Sequence, residues 1–285
     1  MVSQRLSYVE CPRDAMQGIA RPIATTDKIA LGKKLLSCGF DVLDCGSFVN
    51  PATIPQMADS AEVVQALSPI KGSCKLLVIV ANMRGALRAC SLPGVDYLGF
   101  PFSVSEEFQR RNTNSSRSEA YIRLGKIQAL AKAAGKEVVA YISMGFGNPY
   151  GEAYSEEEVL EWVNRIRALG IRRISLADTT GIAQTTSIRV LFQALSQTDL
   201  LVSAHFHALP GQWEEKVHAA LESGCRQFEG AFGGFGGCPM AKNELTGNLP
   251  TEEVVPWLID RGQLETQMDI QAFHEARLFA QEVYG

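Results

Sequence analysis

Short apolar, β-branched runs alternate with longer stretches whose apolar residues recur at helical spacing, almost from end to end of the 285-residue chain. The runs predicted as strands are 6–12, 41–46, 75–82, 96–102, 137–143, 172–177, 200–207 and 226–231. Helices are predicted between them at 25–38, 55–67, 83–91, 115–135, 155–169, 185–197, 212–223 and 251–261, and a final amphipathic piece covers about 267–282. End signals support several of these. Thr26-Asp27 precedes a stripe of Ile29, Leu31, Leu35 and Leu36 that Gly39 closes. Ser155 with Glu158 reads as a capping box, ended by Gly170, and Thr251 with two following glutamates reads as an N-cap.

Strict alternation of strand and helix means parallel strands joined by right-handed crossovers. Eight units in about 260 residues point to a closed (β/α)8 TIM barrel with a C-terminal helical extension. The boundaries expected are 1–265 for the barrel and 266–285 for the appendage. An open dinucleotide-binding sheet is the competing arrangement, but no GxGxxG follows the first strand. The breaks near 83 and 104–114 are the least defined by the pattern.

Composition narrows the function more than the fold. The chain is 46% hydrophobic and 20% charged, with 27 basic against 31 acidic residues, net −4. There is no basic run to bind nucleic acid or an anionic membrane. No apolar stretch reaches the roughly 18–20 residues that span a bilayer. The N-terminal segment has no apolar export signal, so a cytoplasmic protein is expected. The seven cysteines (11, 38, 45, 74, 90, 225 and 238) are scattered and odd in number, which fits free thiols.

In a barrel of this kind, chemistry gathers at the C-terminal strand ends. Those ends carry Arg13-Asp14, then Asp44 and Ser47, then Tyr141 and Ser143, then Asp178-Thr179, then His205 and His207. Residues two apart on a strand face one side, so His-Phe-His points both imidazoles the same way. Two imidazoles with a carboxylate, for which Asp14 is available, suit Mg²⁺ or Mn²⁺, with Zn²⁺ possible; two packed core histidines are the bland alternative. Arg13 is either a fixed cation for an oxyanion or a strand-end salt bridge to Asp14 or Asp44. Asp178 is either a carboxylate supporting the site or a turn residue. Cys238 follows four glycines (233, 234, 236 and 237), a segment that must be mobile or adopt positive φ.

Taken together, VECPRDAMQ, GSFVNPATIPQMAD, SEEFQRRNTNSS, SLADTTG, HFH, GFGGCP and GNLPTEE resemble, in order, the motifs of the 3-hydroxy-3-methylglutaryl-CoA lyase family, metal-dependent TIM-barrel lyases with a DRE-type signature. The similarity runs from Val9 to about Glu253. It implies a divalent metal held by Asp14, His205, His207 and Asn248, with Arg13 facing the enolate oxygen and Cys238 serving in proton transfer. The implied reaction is cleavage of an acyl-CoA thioester to acetyl-CoA and acetoacetate, with His205 the preferred base and Asp14 or Asp44 assisting. Gln17, Ser47, Asn112, Asn114, Tyr141, Ser143, Asp178 and Thr179 are the expected substrate contacts, and a homodimer is the expected assembly. Phe273, Leu278, Phe279 and Val283 offer either its interface or packing on the barrel.

The chain also departs from the family pattern. Asp44 stands where the family usually has Glu, Ala208 replaces the Asp of HCHD, and RDGLQNE becomes RDAMQGI. These changes direct attention to the acyl group. A Claisen synthase or pyruvate-releasing aldolase of the same superfamily is the alternative enzyme, although such synthases normally carry a long C-terminal extension. A metal-binding barrel without catalysis is the alternative from another class.

Overall fold

Strands that are apolar on both faces belong in a parallel sheet covered by helices. The computed structural model describes residues 5–237, 246–264 and 268–285. In it the eight runs form parallel strands: β1 (Ser7–Glu10), β2 (Val42–Ser47), β3 (Lys75–Ile79), β4 (Val95–Ser103), β5 (Glu137–Ser143), β6 (Arg173–Asp178), β7 (Leu201–Ala208) and β8 (Gln227–Ala231). Neighbours pair in chain order, and β1 pairs β8 from Ser7↔Gln227 to Glu10↔Gly230, which closes the barrel. Tyr8, Phe100, Phe102, Phe206 and Phe228 are fully buried; sequestering each contributes roughly 1.5–3 kcal/mol.

The helices are α1 (Pro12–Gln17), α2 (Thr25–Ser37), α3 (Ser60–Leu67), α4 (Met83–Cys90), α5 (Glu106–Thr113), α6 (Arg117–Ala133), α7 (Glu156–Ala168), α8 (Thr185–Ser196), α9 (Glu214–Glu222), α10 (Thr251–Asp260) and α11 (Ile270–Tyr284). Side-chain caps start several of them. Asn82 accepts from the Gly85 amide, Ser105 from Phe108 and Ser155 from Glu158. Ser116 and Glu119 form a reciprocal capping box on α6. Among the described residues, no helix is long and apolar enough to cross a membrane.

Four local expectations change. Arg13 and Asp14 lie on α1, a single turn opened by Pro12, rather than at the end of an extended strand. The break near 104–114 holds a helix of its own, α5. The segment predicted as one helix over 55–67 splits into a 3-10 turn (Pro55–Met57) and α3. Thr251 is inside α10 rather than capping it, because its hydroxyl is drawn to buried Glu10, 2.6 Å away.

A further short strand, β9 (Gly247–Pro250), runs antiparallel to β7 and parallel to β8 over the barrel mouth. A bulge in β2 between Asp44 and Gly46 re-aims the chain directly after Asp44. The C-terminal helix α11 is fastened to the barrel: Phe273 packs on Phe40 and Phe232, and Val283 is buried, whereas Leu278 is 47% exposed.

Candidate active site

The first turn of α1 presents Arg13 and Asp14 to the barrel mouth, where both are nearly fully buried. Arg13 Nε donates to both Asp44 oxygens (3.2 and 3.0 Å) and Nη2 donates to Asp44 Oδ2 at 2.5 Å. Its Nη1 donates to Asp14 Oδ1 at 2.7 Å and to Gln17 Oε1 at 2.9 Å. A guanidinium has five N–H donors, so one Nη2–H is left without a partner among the described residues. The salt-bridge and oxyanion readings of Arg13 are therefore compatible. Gln17 closes the arrangement by donating to Asp14 Oδ1 at 2.8 Å, so its amide braces the arginine–aspartate pair.

Two carboxylates share this arginine yet shift in opposite directions. Burial raises the pKa of both. At Asp14, Arg13, His205, His207 and a hydrogen bond from Asn248 outweigh it and bring the group to about 2. Asp44 is opposed mainly by Arg13 and is pushed back by neighbouring Asp14 and Glu229, so it ends at about 6. Burial would lower Arg13, but Asp44 and then Asp14 raise it well above the ordinary guanidinium value.

Beside this pair stand the two histidines of β7, with ring centroids 5.2 Å apart. His207 Nδ1 lies 3.0 Å from the Thr179 carbonyl, which can only accept, so the proton sits on Nδ1 and Nε2 offers a lone pair. That Nε2 is buried without a partner. Burial and then His205 hold His207 below the usual imidazole range. His205 Nδ1 lies 3.2 Å from Glu229 on β8. Burial would lower the pKa of His205, but this carboxylate raises it overall. Ligand atoms of Asp14, His205 and His207 lie within 4.8 Å of one another.

Asn248 completes the group from β9, where it is the register partner of His207. Its amide nitrogen donates to Asp14 Oδ2 at 2.7 Å and to the Phe235 carbonyl at 2.8 Å, leaving Oδ1 buried and unpartnered. A carboxylate, two imidazole nitrogens and an amide oxygen, two of these atoms orphaned in the interior, make a donor set that suits a divalent cation. The residues fit the group. Glu229 supplies the carboxylate–imidazole support common behind metal-bound histidines. Sequence reasoning passed over it, although a Glu inside the apolar run QFEGAF was the available signal.

Glycines let the chain approach this closely. Gly233, Gly234, Gly236 and Gly237 all take positive φ, one of the two outcomes the sequence left open. A Cβ on Gly236 would meet Asn248 Nδ2 at 2.5 Å, and one on Gly247 would meet the Gly234 carbonyl at 2.0 Å. Gly247→Ala is accordingly expected to lower stability by about 1–3 kcal/mol and to weaken Mn²⁺ binding through Asn248. Thermal melting with a Mn²⁺ titration checks both. Unchanged values would mean the loop yields without moving the ligand.

The remaining expected contacts divide. Tyr141 packs edge-on against His205 at 5.8 Å, and its hydroxyl and that of Ser47 are buried without partners, so both remain available to a substrate. Ser143 is buried at the end of β5. Asn112 and Asn114 are exposed at the end of α5. Asp178 and Thr179 turn inward instead. The Asp178 carboxylate accepts from Lys216 and the Ala183 amide, and the Thr179 hydroxyl accepts from the Met144 amide. Both therefore have internal hydrogen-bond partners in this structure. Cys238 lies outside the described residues. The six described cysteines are free, and burial raises the pKa of each.

The HMGL-like family matches residues 9–279. A 3-hydroxy-3-isohexenylglutaryl-CoA/hydroxy-methylglutaryl-CoA lyase of Pseudomonas aeruginosa is 32% identical, covering 93% of this chain and 88% of its own length. The hydroxymethylglutaryl-CoA lyase of Pseudomonas mevalonii is 33% identical over 92% and 86%. Among solved structures, the Bacillus subtilis HMG-CoA lyase superposes with a TM-score of 0.91 at 29% identity, covering 99% of this chain and 94% of that one. An Acinetobacter baumannii HMG-CoA lyase in complex with coenzyme A and 3-methylmalate superposes at 0.89 and 29% identity, over 100% and 93%. Agreement this extensive, in sequence and in backbone, makes the chain a member of the HMGL-like family and an enzyme of the hydroxymethylglutaryl-CoA lyase type.

Proposed function

We propose that the enzyme cleaves 3-hydroxy-3-methylglutaryl-CoA to acetyl-CoA and acetoacetate, with a divalent cation held by Asp14, His205, His207 and Asn248. The observation that carries this is the pair of orphaned donors, His207 Nε2 and Asn248 Oδ1, beside Asp14 and an arginine with one N–H to spare. When bound, Mg²⁺ or Mn²⁺ lowers the pKa of a hydroxyl group in its reach.

The chain's own groups supply the rest. His205 has one nitrogen committed to Glu229, so its other nitrogen serves either the cation or a proton. With the cation assigned to it, the base is Asp44, whose pKa of about 6 suits proton uptake far better than the value of about 2 at Asp14. Asp44 takes the proton of the tertiary hydroxyl. That oxygen becomes the ketone of acetoacetate as the C2–C3 bond breaks, and the electron pair moves onto the thioester oxygen. The free Arg13 N–H faces that enolate oxygen. Cys238, by its resemblance to the family's loop cysteine, returns a proton to C2. A cavity of 540 Å³ at the ends of β2 and β3, lined in part by Phe48, Asn82, Arg84 and Arg88, lies where the coenzyme A portion has room and positive charge.

The test is acetoacetate release from a thioester panel, with and without Mn²⁺. Release from the methyl compound, abolished by chelator, is expected. Cleavage restricted to homologues with a longer substituent on C3, such as the isohexenyl compound of the Pseudomonas aeruginosa lyase, would transfer the assignment to those. Full activity in chelator would remove the cation from the mechanism.

A further inference from the structure

Lys216, in the first turn of α9, is a buried cation for which the proposed chemistry has no use. Lysine is rarely buried unless its charge is partnered. Here all three ammonium protons are taken: Nζ donates to Asp178 Oδ2 at 2.7 Å, to the Gly181 carbonyl at 2.8 Å and to the His207 carbonyl at 2.9 Å. Asp178 is fixed in turn by the Ala183 amide, 3.1 Å from both of its oxygens.

A charge pair alone would need only the aspartate. The two carbonyl bonds do something else, because they tie the end of β7 to the turn after β6. The imidazole of the same histidine is held by that turn as well, through Nδ1–H and the Thr179 carbonyl. Both ends of His207, backbone oxygen and ring nitrogen, are therefore anchored to residues 178–183, one through Lys216 and one directly. His207 in turn pairs with Asn248 across β7 and β9, so an error in its placement passes to the second orphaned donor.

We infer that Lys216 is a positioning residue, an internal staple between β6, β7 and α9 that sets the placement of His207 and, through it, of Asn248. The inference rests on the proposed cation site and goes beyond it by naming a residue outside the donor set that fixes its geometry.

Lys216→Met alone would strand the Asp178 carboxylate and can fail to fold. The decisive variant is Lys216→Met/Asp178→Asn, which removes both charges together. Far-UV circular dichroism establishes its fold, electron paramagnetic resonance of free Mn²⁺ gives its affinity, and the visible spectrum of the Co²⁺-loaded protein reports ligand geometry. Affinity weaker by about 10-fold or more is expected, the usual loss when a support behind a metal ligand is removed, with an altered Co²⁺ spectrum. Turnover should fall while KM for the thioester changes less than about twofold. Lys216→Arg is the second arm. It keeps the ion pair with Asp178 but moves the donors, so positioning predicts weakened Mn²⁺ binding where a purely stabilising pair predicts none. A folded double variant, or Lys216→Arg, with wild-type Mn²⁺ affinity and Co²⁺ spectrum would overturn the inference. Failure of the wild-type protein to bind Mn²⁺ would instead overturn the cation site, and the inference with it.

Discussion

Arg13→Met is expected to lower turnover by about 10³-fold and to cost about 3–5 kcal/mol of stability. The stability term follows from the charges left behind: Asp14 and Asp44 are both buried, and Arg13 is the cation bonded to each. Removing one partner from a buried ionic group leaves uncompensated charge, which is far more damaging than never having had the pair. The catalytic term is separate. Loss of one preorganised donor to a developing oxyanion slows reactions by about 10²–10³, and Asp44 loses the neighbour that orients it. Arg13→Lys separates the two effects. It keeps a positive charge but not the fork that reaches Asp14, Asp44 and Gln17 together, so stability should recover more than turnover. Urea unfolding and metal-saturated kinetics measure the pair of effects. Arg13→Met with near-wild-type turnover would confine Arg13 to a structural salt bridge.

How far the sequence foretells these features depends on their range along the chain. The barrel is legible because each strand is a continuous apolar run and each helix carries its own periodicity and end signals. Asp44 and the paired histidines are legible for the same local reason: a strand end and a two-residue period say where they point, whereas Arg13 and Asp14 stand out as residues but sit on α1 rather than on the expected strand end. What escapes is short or cross-strand. Six-residue α1 and four-residue β9 have no room to display a period, and β9 exists only because β7 and β8 offer it an edge. Glu229 meets His205 because β7 and β8 pair with Ser203 opposite Gln227, a register that neither segment encodes alone. Asp178 reads either as a carboxylate supporting the site or as a turn residue, and its partner Lys216, 38 residues on, is not visible from the local sequence. The two readings of Arg13 left open by its spacing are compatible, since four bonded donors out of five leave room for both.

Glu10→Gln is expected to make the protein more stable at alkaline pH than at acid pH relative to the parent chain, by up to about 4–5 kcal/mol. Glu10 is fully buried at the end of β1. Burial pushes its pKa up to about 8, against the opposing pull of its bonds to the Thr251 hydroxyl (2.6 Å) and the Phe232 amide (3.0 Å). The unfolded chain releases this proton near the ordinary glutamate value of about 4.3. Between these two values the folded state holds a proton that the unfolded state does not, so stability falls as pH rises. The contribution of Glu10 is present in full below the unfolded pKa and is lost as pH climbs through about 8. Each unit of separation is worth about 1.4 kcal/mol. Glutamine accepts from the Phe232 amide and donates to Thr251 without carrying a titrating proton, so its advantage should be small at pH 5 and grow steadily to pH 8.5. Urea midpoints across that range test this, and a difference independent of pH would show that Glu10 is ionised in the fold. The consequence reaches the site, because Phe232 opens the glycine segment that leads to Phe235 and Asn248. Through its bonds to the Phe232 amide and the Thr251 hydroxyl, Glu10 ties the root of that segment to β1 and α10, so the residue that sets stability at high pH also holds one wall of the proposed cation site in place.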